Sequence, residues 1–336
     1  MKFTPGKLQG MKAVADPRGV IAAAAMDQRG SLSKMLAKEM NVAESEVRPE
    51  KMSEFKAAVT RILTPHASAI LLDPEFGLEA AKQRSKNAGL LLAYEKTGYD
   101  HAQPGRLPEF LEHWSVYRLK QAGADAVKVL IQYTPFDSDE VNDRKKVWIE
   151  RIGAECEHYQ IPFFLEFVGY DPKGGNEKGP EFAKVKPEVV AASMAEFSKP
   201  QYAVDVLKVE IPVNLQYVEG ARSFKGPAAY SRKEALEHYR RAATAAKKPF
   251  IYLSAGVPNA QFTESLEVAA EAGVKFNGVL CGRATWAAGV PIYAKQGLKA
   301  FEDWLAGEGA KNINAVNATL KHAAPWFAAY GLESVA

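Results

Sequence analysis

The chain has 336 residues, of which 47% are hydrophobic and 25% charged, and its formal net charge is +3. This composition excludes a disordered chain, and the even spread of charge gives no reason to expect a nucleic acid partner. No apolar stretch approaches the ~20 residues that span a bilayer, and the first residues lack a signal-peptide core, so we expect a cytoplasmic protein without membrane association. The two cysteines, Cys156 and Cys281, are far apart, which excludes a disulfide framework and a cysteine-ligated zinc site.

Eight short apolar runs alternate along the chain with longer segments of helical periodicity. Nearly continuous apolar strands that alternate with amphipathic helices are typical of a parallel sheet covered on its outer face. Eight such units in 336 residues predict an α/β fold, a single (β/α)8 TIM barrel over 1–336, with extra C-terminal helices at 301–336 packed outside. The predicted strands are 20–26, 68–73, 89–94, 125–131, 162–168, 204–210, 250–254 and 277–281. The clearest predicted helices are 55–63, 111–122, 141–159 and 232–246.

The connecting segments differ in length on the two sides of the strands. Segments that lead into strands are short, whereas those that leave strands three, five and six are long, at 95–108, 169–186 and 211–231. Long strand-to-helix loops mark the working face of a barrel. The loop 169–186 is rich in Gly, Lys and Pro, and we expect it to be a flap over that face.

Three consecutive polar residues, Asp27, Gln28 and Arg29, follow the small residues of the first predicted strand. In this position Asp27 would bond to Lys208 or to a substrate hydroxyl, and Arg29 would hold a second phosphate group. A helix cap followed by a turn explains the same residues equally well.

Strands four, five and six each carry one charged residue among apolar neighbours: Lys128, Glu166 and Lys208. A buried ion pair needs only two charges and is a costly way to stabilise a core, so three charges at one end of a barrel indicate an active site. A neutral lysine amine is the nucleophile that forms a Schiff base with a ketone, and burial beside a second cation would favour that neutral form.

These three residues suggest a division of roles, which the pattern leaves partly open. Lys208 would be the nucleophile, Glu166 the proton shuttle and Lys128 the tuning cation, although the two lysines are nearly interchangeable on pattern alone. The alternative for Lys208 is a packed lysine whose amine pairs with Glu210, which follows on the same strand face.

The ends of strands seven and eight predict a phosphate site. Ser254 and Gly256 follow strand seven, and Gly282 and Arg283 follow strand eight. Loops at these two positions commonly hold phosphate in this fold, where glycines let backbone N–H groups approach and an arginine adds two donors. The alternative is that the glycines only form turns.

The histidine pattern argues against a metal site. The six histidines are all at least twelve positions apart, so the closely spaced pairs that bind zinc are missing. We therefore expect no metal and no cofactor. We expect an amine of the protein, in place of a metal, to provide the group that accepts the electron pair during the reaction.

Four stretches, 90–100, 206–214, 252–257 and 277–286, closely resemble the class I tagatose 1,6-bisphosphate aldolases, and the similarity covers essentially the whole chain. The resemblance implies that Lys208 is the Schiff-base lysine and Glu166 the acid–base carboxylate. It also implies that Arg29, Ser254 and Arg283 contact phosphate. The flaps 169–186 and 211–231 depart from the family pattern. This departure bears on the preferred sugar more than on the mechanism.

The reaction implied by the resemblance is cleavage of D-tagatose 1,6-bisphosphate to dihydroxyacetone phosphate and D-glyceraldehyde 3-phosphate, with fructose 1,6-bisphosphate as a second substrate. Two alternatives stay open: an aldolase for 6-deoxy-6-sulfofructose 1-phosphate, and a regulatory barrel that binds sugar phosphates. The expected partner is a phosphorylated ketose, and a homo-oligomer is compatible with the sequence.

Overall fold

The computed structural model describes residues 3–100 and 102–335. Its eight strands are parallel and pair in chain order into a closed barrel, in which β1 also pairs with β8. The predicted TIM barrel is therefore confirmed, and each strand begins and ends within two residues of its predicted bounds. The strands are β1 (Ile21–Ala25), β2 (Ala69–Leu72), β3 (Gly89–Ala93), β4 (Ala126–Gln132), β5 (Phe163–Val168), β6 (Val206–Val209), β7 (Phe250–Leu253) and β8 (Gly278–Cys281).

The helices surround the barrel, and within the described ranges no helix is long and apolar enough to cross a membrane. The predicted helix 111–122 is shorter than expected, because the Ser115 side chain accepts a hydrogen bond from the Arg118 backbone and caps a helix that begins at Val116. The helices are α1 (Pro5–Val14), α2 (Gly30–Met40), α3 (Pro49–Leu63), α4 (Leu78–Ala81), α5 (Val116–Gln121), α6 (Asp139–His158), α7 (Pro180–Phe197), α8 (Arg232–Ala245), α9 (Asn259–Glu271), α10 (Arg283–Trp286), α11 (Val290–Trp304) and α12 (Ala310–Thr319).

The loop after β5 is shorter than the predicted flap 169–186. Helix α7 begins at Pro180, because proline fits the first turn of a helix, where its missing N–H has no helical partner anyway. The flap is thus residues 169–179, of which 172–176 are all exposed.

The alternation of the strands places the charged residues inside the barrel. Ala126, Phe164 and Val206 belong to the apolar cluster of the barrel interior. Because every second side chain points to the same face, Lys128, Glu166 and Lys208, each two residues further on, also point inward, nearer the carboxyl ends. The pairing of β5 with β6 sets Glu166 directly opposite Lys208.

The floor of the barrel, at the amino ends of the strands, is built from both ends of the chain. Met11 and Val14 of α1 and the ring of Trp326 pack into the interior cluster, and Phe3 lies edge-on against Trp326 at 5.2 Å. The segment 301–336 was predicted to pack outside. Its helix α12 does so, while Trp326 closes the barrel from below because the small side chains of β1 leave space there.

Candidate active site

A cavity of about 320 Å³ opens at the carboxyl ends of the strands. Seven of the ten predicted site residues line this cavity, which brings together the ends of β1, β4, β5 and β6 and the start of α10: Asp27, Gln28, Arg29, Lys128, Glu166, Lys208 and Arg283. Because these residues come from five distant parts of the chain, only the closed barrel unites them.

The other three predicted residues lie close by but do not line this cavity. Ser254 and Gly256 line a neighbouring cavity of about 330 Å³ between the loops after β5, β6 and β7. A Cβ atom at Gly256 would lie 2.7 Å from the guanidinium carbon of Arg283, and one at Gly282 would lie 2.7 Å from the Ala25 carbonyl oxygen. Both positions therefore need glycine to let neighbouring groups approach.

Three carboxylates surround the amine of Lys128. Its Nζ atom lies 2.8 Å from Asp27 Oδ2, 2.8 Å from Glu95 Oε1 and 2.9 Å from Glu166 Oε2. The Lys128 side chain is only 1% exposed. The amine donates hydrogen bonds to Asp27 and Glu95 and forms an ion pair with Glu166.

Lys208 shares the Glu166 carboxylate with Lys128. Its Nζ atom lies 2.8 Å from Glu166 Oε2, the same oxygen that contacts Lys128. Glu210 pairs instead with Lys186, at 2.9 Å, so the alternative pairing of Lys208 with Glu210 is wrong. The structure thus places two amines side by side on one carboxylate oxygen.

Burial and charge compete in this cluster. Burial opposes the charge of Glu166, but Lys128 and Lys208 outweigh it and hold the pKa of that carboxyl below its usual value. The pKa of Asp27 is also lowered, against burial, by Lys128, Lys208 and Arg29. Burial dominates for Glu95, whose pKa is raised although Lys128 is close. The pKa of Lys128 lies well above its usual value, because its three carboxylates outweigh the effect of burial.

Two of the arginines that line the cavity, Arg29 and Arg283, differ in what they bind. The Arg29 guanidinium lies 2.8 Å from Glu75 and 3.7 Å from Glu95, and its buried Nε has no hydrogen-bond partner. Arg283 makes no side-chain hydrogen bond or ion pair with any residue that the structure describes. Arg283 is therefore the arginine most available to an anionic ligand, while Arg29 has one free donor.

A buried ion pair behind the cavity holds the 27–29 segment in place. The Lys56 amine, on α3, lies 2.5 Å from Asp73 Oδ2 and donates to the carbonyl oxygens of Met26 at 2.7 Å and Gln28 at 2.8 Å. The two carbonyls flank Asp27. Lys56 and Asp73 are completely buried, so this pair fixes the backbone from which Asp27 reaches Lys128.

Replacing Lys56 with methionine is expected to destabilise the fold by about 3–5 kcal/mol, because Asp73 would be left as an uncompensated buried charge. It is also expected to lower kcat/KM roughly 10- to 100-fold by releasing the Asp27 backbone. Urea unfolding and steady-state kinetics measure the two effects. The double variant K56M/D73N is expected to regain stability but not activity, and recovery of both would contradict the positioning role.

Sequence reasoning missed Glu95, Lys56 and Asp73. Glu95 stands two residues after the end of β3, as Asp27 does after β1, and that position was a usable signal. Asp73 follows the end of β2 directly. Lys56 gave no signal, because a lysine on a helix is most often a solvent-exposed residue.

Comparisons with known proteins identify the family of the chain. A family model described as DeoC/LacD family aldolase matches residues 21–288. The chain is 50% identical over 323 residues to tagatose 1,6-diphosphate aldolase 1 of Enterococcus faecalis, with 96% of this chain and 97% of that protein covered. It is 46% identical over 332 residues to the tagatose 1,6-diphosphate aldolase of Listeria monocytogenes, with 98% and 96% covered.

Among solved structures, the chain resembles a fructose-bisphosphate aldolase from Plasmodium falciparum, solved in complex with TRAP and a small-molecule inhibitor. The TM-score is 0.65, the identity is 12%, and 95% of this chain and 97% of the other are covered. This likeness concerns the fold alone. The sequence matches carry the assignment: the chain belongs to the DeoC/LacD family of aldolases, which are carbon–carbon lyases, and groups within it with the tagatose 1,6-diphosphate aldolases.

Proposed function

We propose that the protein is a class I aldolase that cleaves D-tagatose 1,6-bisphosphate to dihydroxyacetone phosphate and D-glyceraldehyde 3-phosphate through a Schiff base on Lys208. The observation that carries the proposal is the contact of the Lys208 amine with Glu166, 2.8 Å apart, at the bottom of a cavity that also holds an unpaired arginine. An amine next to a carboxylate has a proton acceptor within reach, which a nucleophilic lysine needs.

The first half of the reaction joins Lys208 to the sugar. The neutral amine attacks the C2 ketone, the resulting carbinolamine loses its hydroxyl as water, and an iminium remains. Glu166 takes the proton that leaves the Lys208 ammonium, because its Oε2 lies within hydrogen-bond distance of the amine. The nitrogen proton freed on attack passes to the new C2 oxygen, and Glu166 returns its proton to the departing hydroxyl. Lys128, fixed by Asp27 and Glu95, lowers the pKa of Glu166, so that its carboxylate is ionised before the first proton transfer.

The second half breaks the C3–C4 bond. Glu166 removes the proton of the C4 hydroxyl, the electron pair of the C3–C4 bond moves toward the iminium nitrogen, and glyceraldehyde 3-phosphate leaves. The enamine then takes up a proton at C3, and water hydrolyses the iminium to release dihydroxyacetone phosphate. The iminium is the electron sink throughout.

Arg283, which lines the same cavity as Lys208, supports a phosphorylated substrate. We assign the phosphate on C1 to Arg283 and to the loop of Ser254 and Gly256, because C1 adjoins the carbon that reacts with Lys208. A guanidinium binds two phosphate oxygens at once, and the glycine permits the approach of the loop.

The proposal includes fructose 1,6-bisphosphate, which differs from the tagatose sugar only at C4. Its support is the family resemblance of the sequence. Comparing kcat/KM for the two bisphosphates and for 6-deoxy-6-sulfofructose 1-phosphate ranks the substrates, and a preference for the sulfonate would overturn the assignment.

The mechanism is tested by borohydride reduction in the presence of dihydroxyacetone phosphate, followed by peptide mass mapping. We expect one stable adduct, on Lys208. Lys248, a buried lysine at the opposite end of the barrel whose pKa is lowered by burial, is the internal control and should stay unlabelled. An adduct on another lysine, or cleavage that a chelator abolishes, would refute the Schiff base on Lys208.

A further inference from the structure

Arg106 is a third arginine on the wall of the proposed catalytic cavity. It belongs to the loop between β3 and α5 and lines the cavity together with Gln132, the last residue of β4. Neither the sequence pattern nor the family resemblance singled out this residue. Its backbone has φ of +50°, in the left-handed region, which costs free energy for a residue other than glycine and is often found at functional sites.

The guanidinium of Arg106 is held in one orientation. Its carbon lies 4.7 Å from the ring centre of Tyr170 and 5.4 Å from that of Tyr99, and it donates to Gln132 at 3.2 Å. Tyr170 is itself fixed, because it bonds to Asp137 and accepts from the buried Lys145 at 2.9 Å. Arginine held against aromatic rings is oriented before a ligand arrives, so less entropy is lost on binding.

The partner of Arg106 is a carboxylate on the flap. Glu177 accepts from the Arg106 guanidinium at 2.7 Å, and its side chain is 33% exposed. It belongs to a segment whose preceding residues, 172–176, are all exposed. A carboxylate and a phosphate offer an arginine the same pair of oxygen acceptors, so a phosphate group can replace Glu177 without loss of hydrogen bonds.

Arg29 is a poorer position for the same group. Its side chain is 5% exposed and pairs with Glu75, which is 39% exposed, at 2.8 Å and with Glu95, which is 8% exposed, at 3.7 Å. A phosphate that displaced Glu75 would still lie beside the negative charge of buried Glu95. Arg106 has no second carboxylate partner among the residues that the structure describes, and Glu177 would move into water. The far end of the sugar therefore has its better anion site at Arg106.

We infer that Arg106 binds the phosphate at the end of the ketose remote from the reacting ketone, and that Glu177 occupies this position until the substrate displaces it. The inference rests on the proposed function for the position of the ketone. It makes Arg106 the residue that distinguishes a ketose bisphosphate from a ketose 1-phosphate.

Isothermal titration calorimetry on a K208M background tests the inference without turnover. D-tagatose 1,6-bisphosphate and D-tagatose 1-phosphate are titrated with and without R106Q. We expect R106Q to weaken binding of the bisphosphate roughly 10- to 100-fold, the usual effect of losing a charge-assisted pair, and binding of the 1-phosphate by less than about twofold. R232Q, which removes an exposed arginine that pairs with Glu271 on the outer helices, is the matched control and should change neither affinity.

A second variant distinguishes phosphate recognition by Arg106 from a purely structural contact between its loop and the flap. E177Q keeps a side chain of the same size but removes the competing charge, so it is expected to tighten bisphosphate binding severalfold while leaving 1-phosphate binding unchanged. A purely structural contact between the two loops predicts the opposite, weaker binding of both sugars. Equal losses for both sugars in R106Q, or none for the bisphosphate, would overturn the inference.

The test also distinguishes this inference from the proposed function. If wild-type protein forms the Lys208 adduct and R106Q leaves the preference for the bisphosphate unchanged, the function stands and the role of Arg106 fails. If no adduct forms but the preference depends on Arg106, the anion site stands and the Schiff-base mechanism fails.

Discussion

Replacing Lys208 with methionine is expected to lower kcat for tagatose bisphosphate cleavage by about 10⁴-fold or more, because the side chain that would form the covalent bond is lost. The fold should survive, since methionine matches the length of the lysine stem and Glu166 keeps the contact with Lys128, 2.9 Å away. Single-turnover kinetics with purified variant measure the residual rate.

Two further variants give the Lys208 experiment its controls. K208R keeps a positive charge beside Glu166. It has no nucleophilic amine at neutral pH, so it should be as inactive as K208M. K248M removes a lysine at the floor of the barrel and should keep near-normal activity. Substantial cleavage by K208R would show that charge, and not covalent chemistry, is what Lys208 contributes.

The second large effect is expected from Lys128→Met. Three buried carboxylates, Asp27, Glu95 and Glu166, would lose the cation at their centre, and the pKa of Glu166 would rise. With the proton shuttle partly protonated at neutral pH, kcat/KM is expected to fall roughly 10³-fold. The acid limb of the pH–rate profile should also move to higher pH.

The stability of the Lys128→Met protein should fall as the pH rises. In the wild-type protein the pKa values of Asp27 and Glu166 are lowered, so their contribution to stability is present above the ordinary carboxyl pKa and is lost as the pH falls below it. In the variant the carboxyl pKa values are raised, so the folded state loses stability as the pH rises through them.

The loss of stability in K128M should therefore be about 3–5 kcal/mol near pH 8 and smaller near pH 5. Urea unfolding at the two pH values measures the difference. Adding D27N to K128M removes one of the repelling charges and should restore part of the loss at pH 8. A loss of stability that is the same at both pH values would contradict the electrostatic role of Lys128.

The sequence predicts the barrel well because strand alternation and burial are local properties. The apolar runs around Lys128, Glu166 and Lys208 identify three inward-facing positions, and parallel strands that end at one edge bring them together. The same reasoning places Asp27 and Arg283 on one cavity. That much of the candidate site follows from residue types and their period in the sequence.

The remainder depends on three-dimensional contacts that no local pattern contains. Lys56 reaches the carbonyls beside Asp27 from a helix, and nothing in that helix marks it as buried. Arg106 acquires its orientation from Tyr170 and Glu177. Both lie more than sixty positions further along the chain, and Glu177 lies 71 positions from Arg106. Ser254 and Gly256 were predicted to form a phosphate site together with Arg283, but they line a neighbouring cavity, whereas Arg283 lines the cavity of Lys208.

The closure of the barrel has a consequence for biosynthesis. β1 pairs with β8, and the indole of Trp286 donates to the Ala25 carbonyl 261 positions earlier. β1 must therefore wait with an unpaired edge until β8 emerges from the ribosome. Such a nascent chain exposes apolar β1 and β2 for most of its translation, so chaperone binding should be strongest to ribosome-bound chains that stop short of β8.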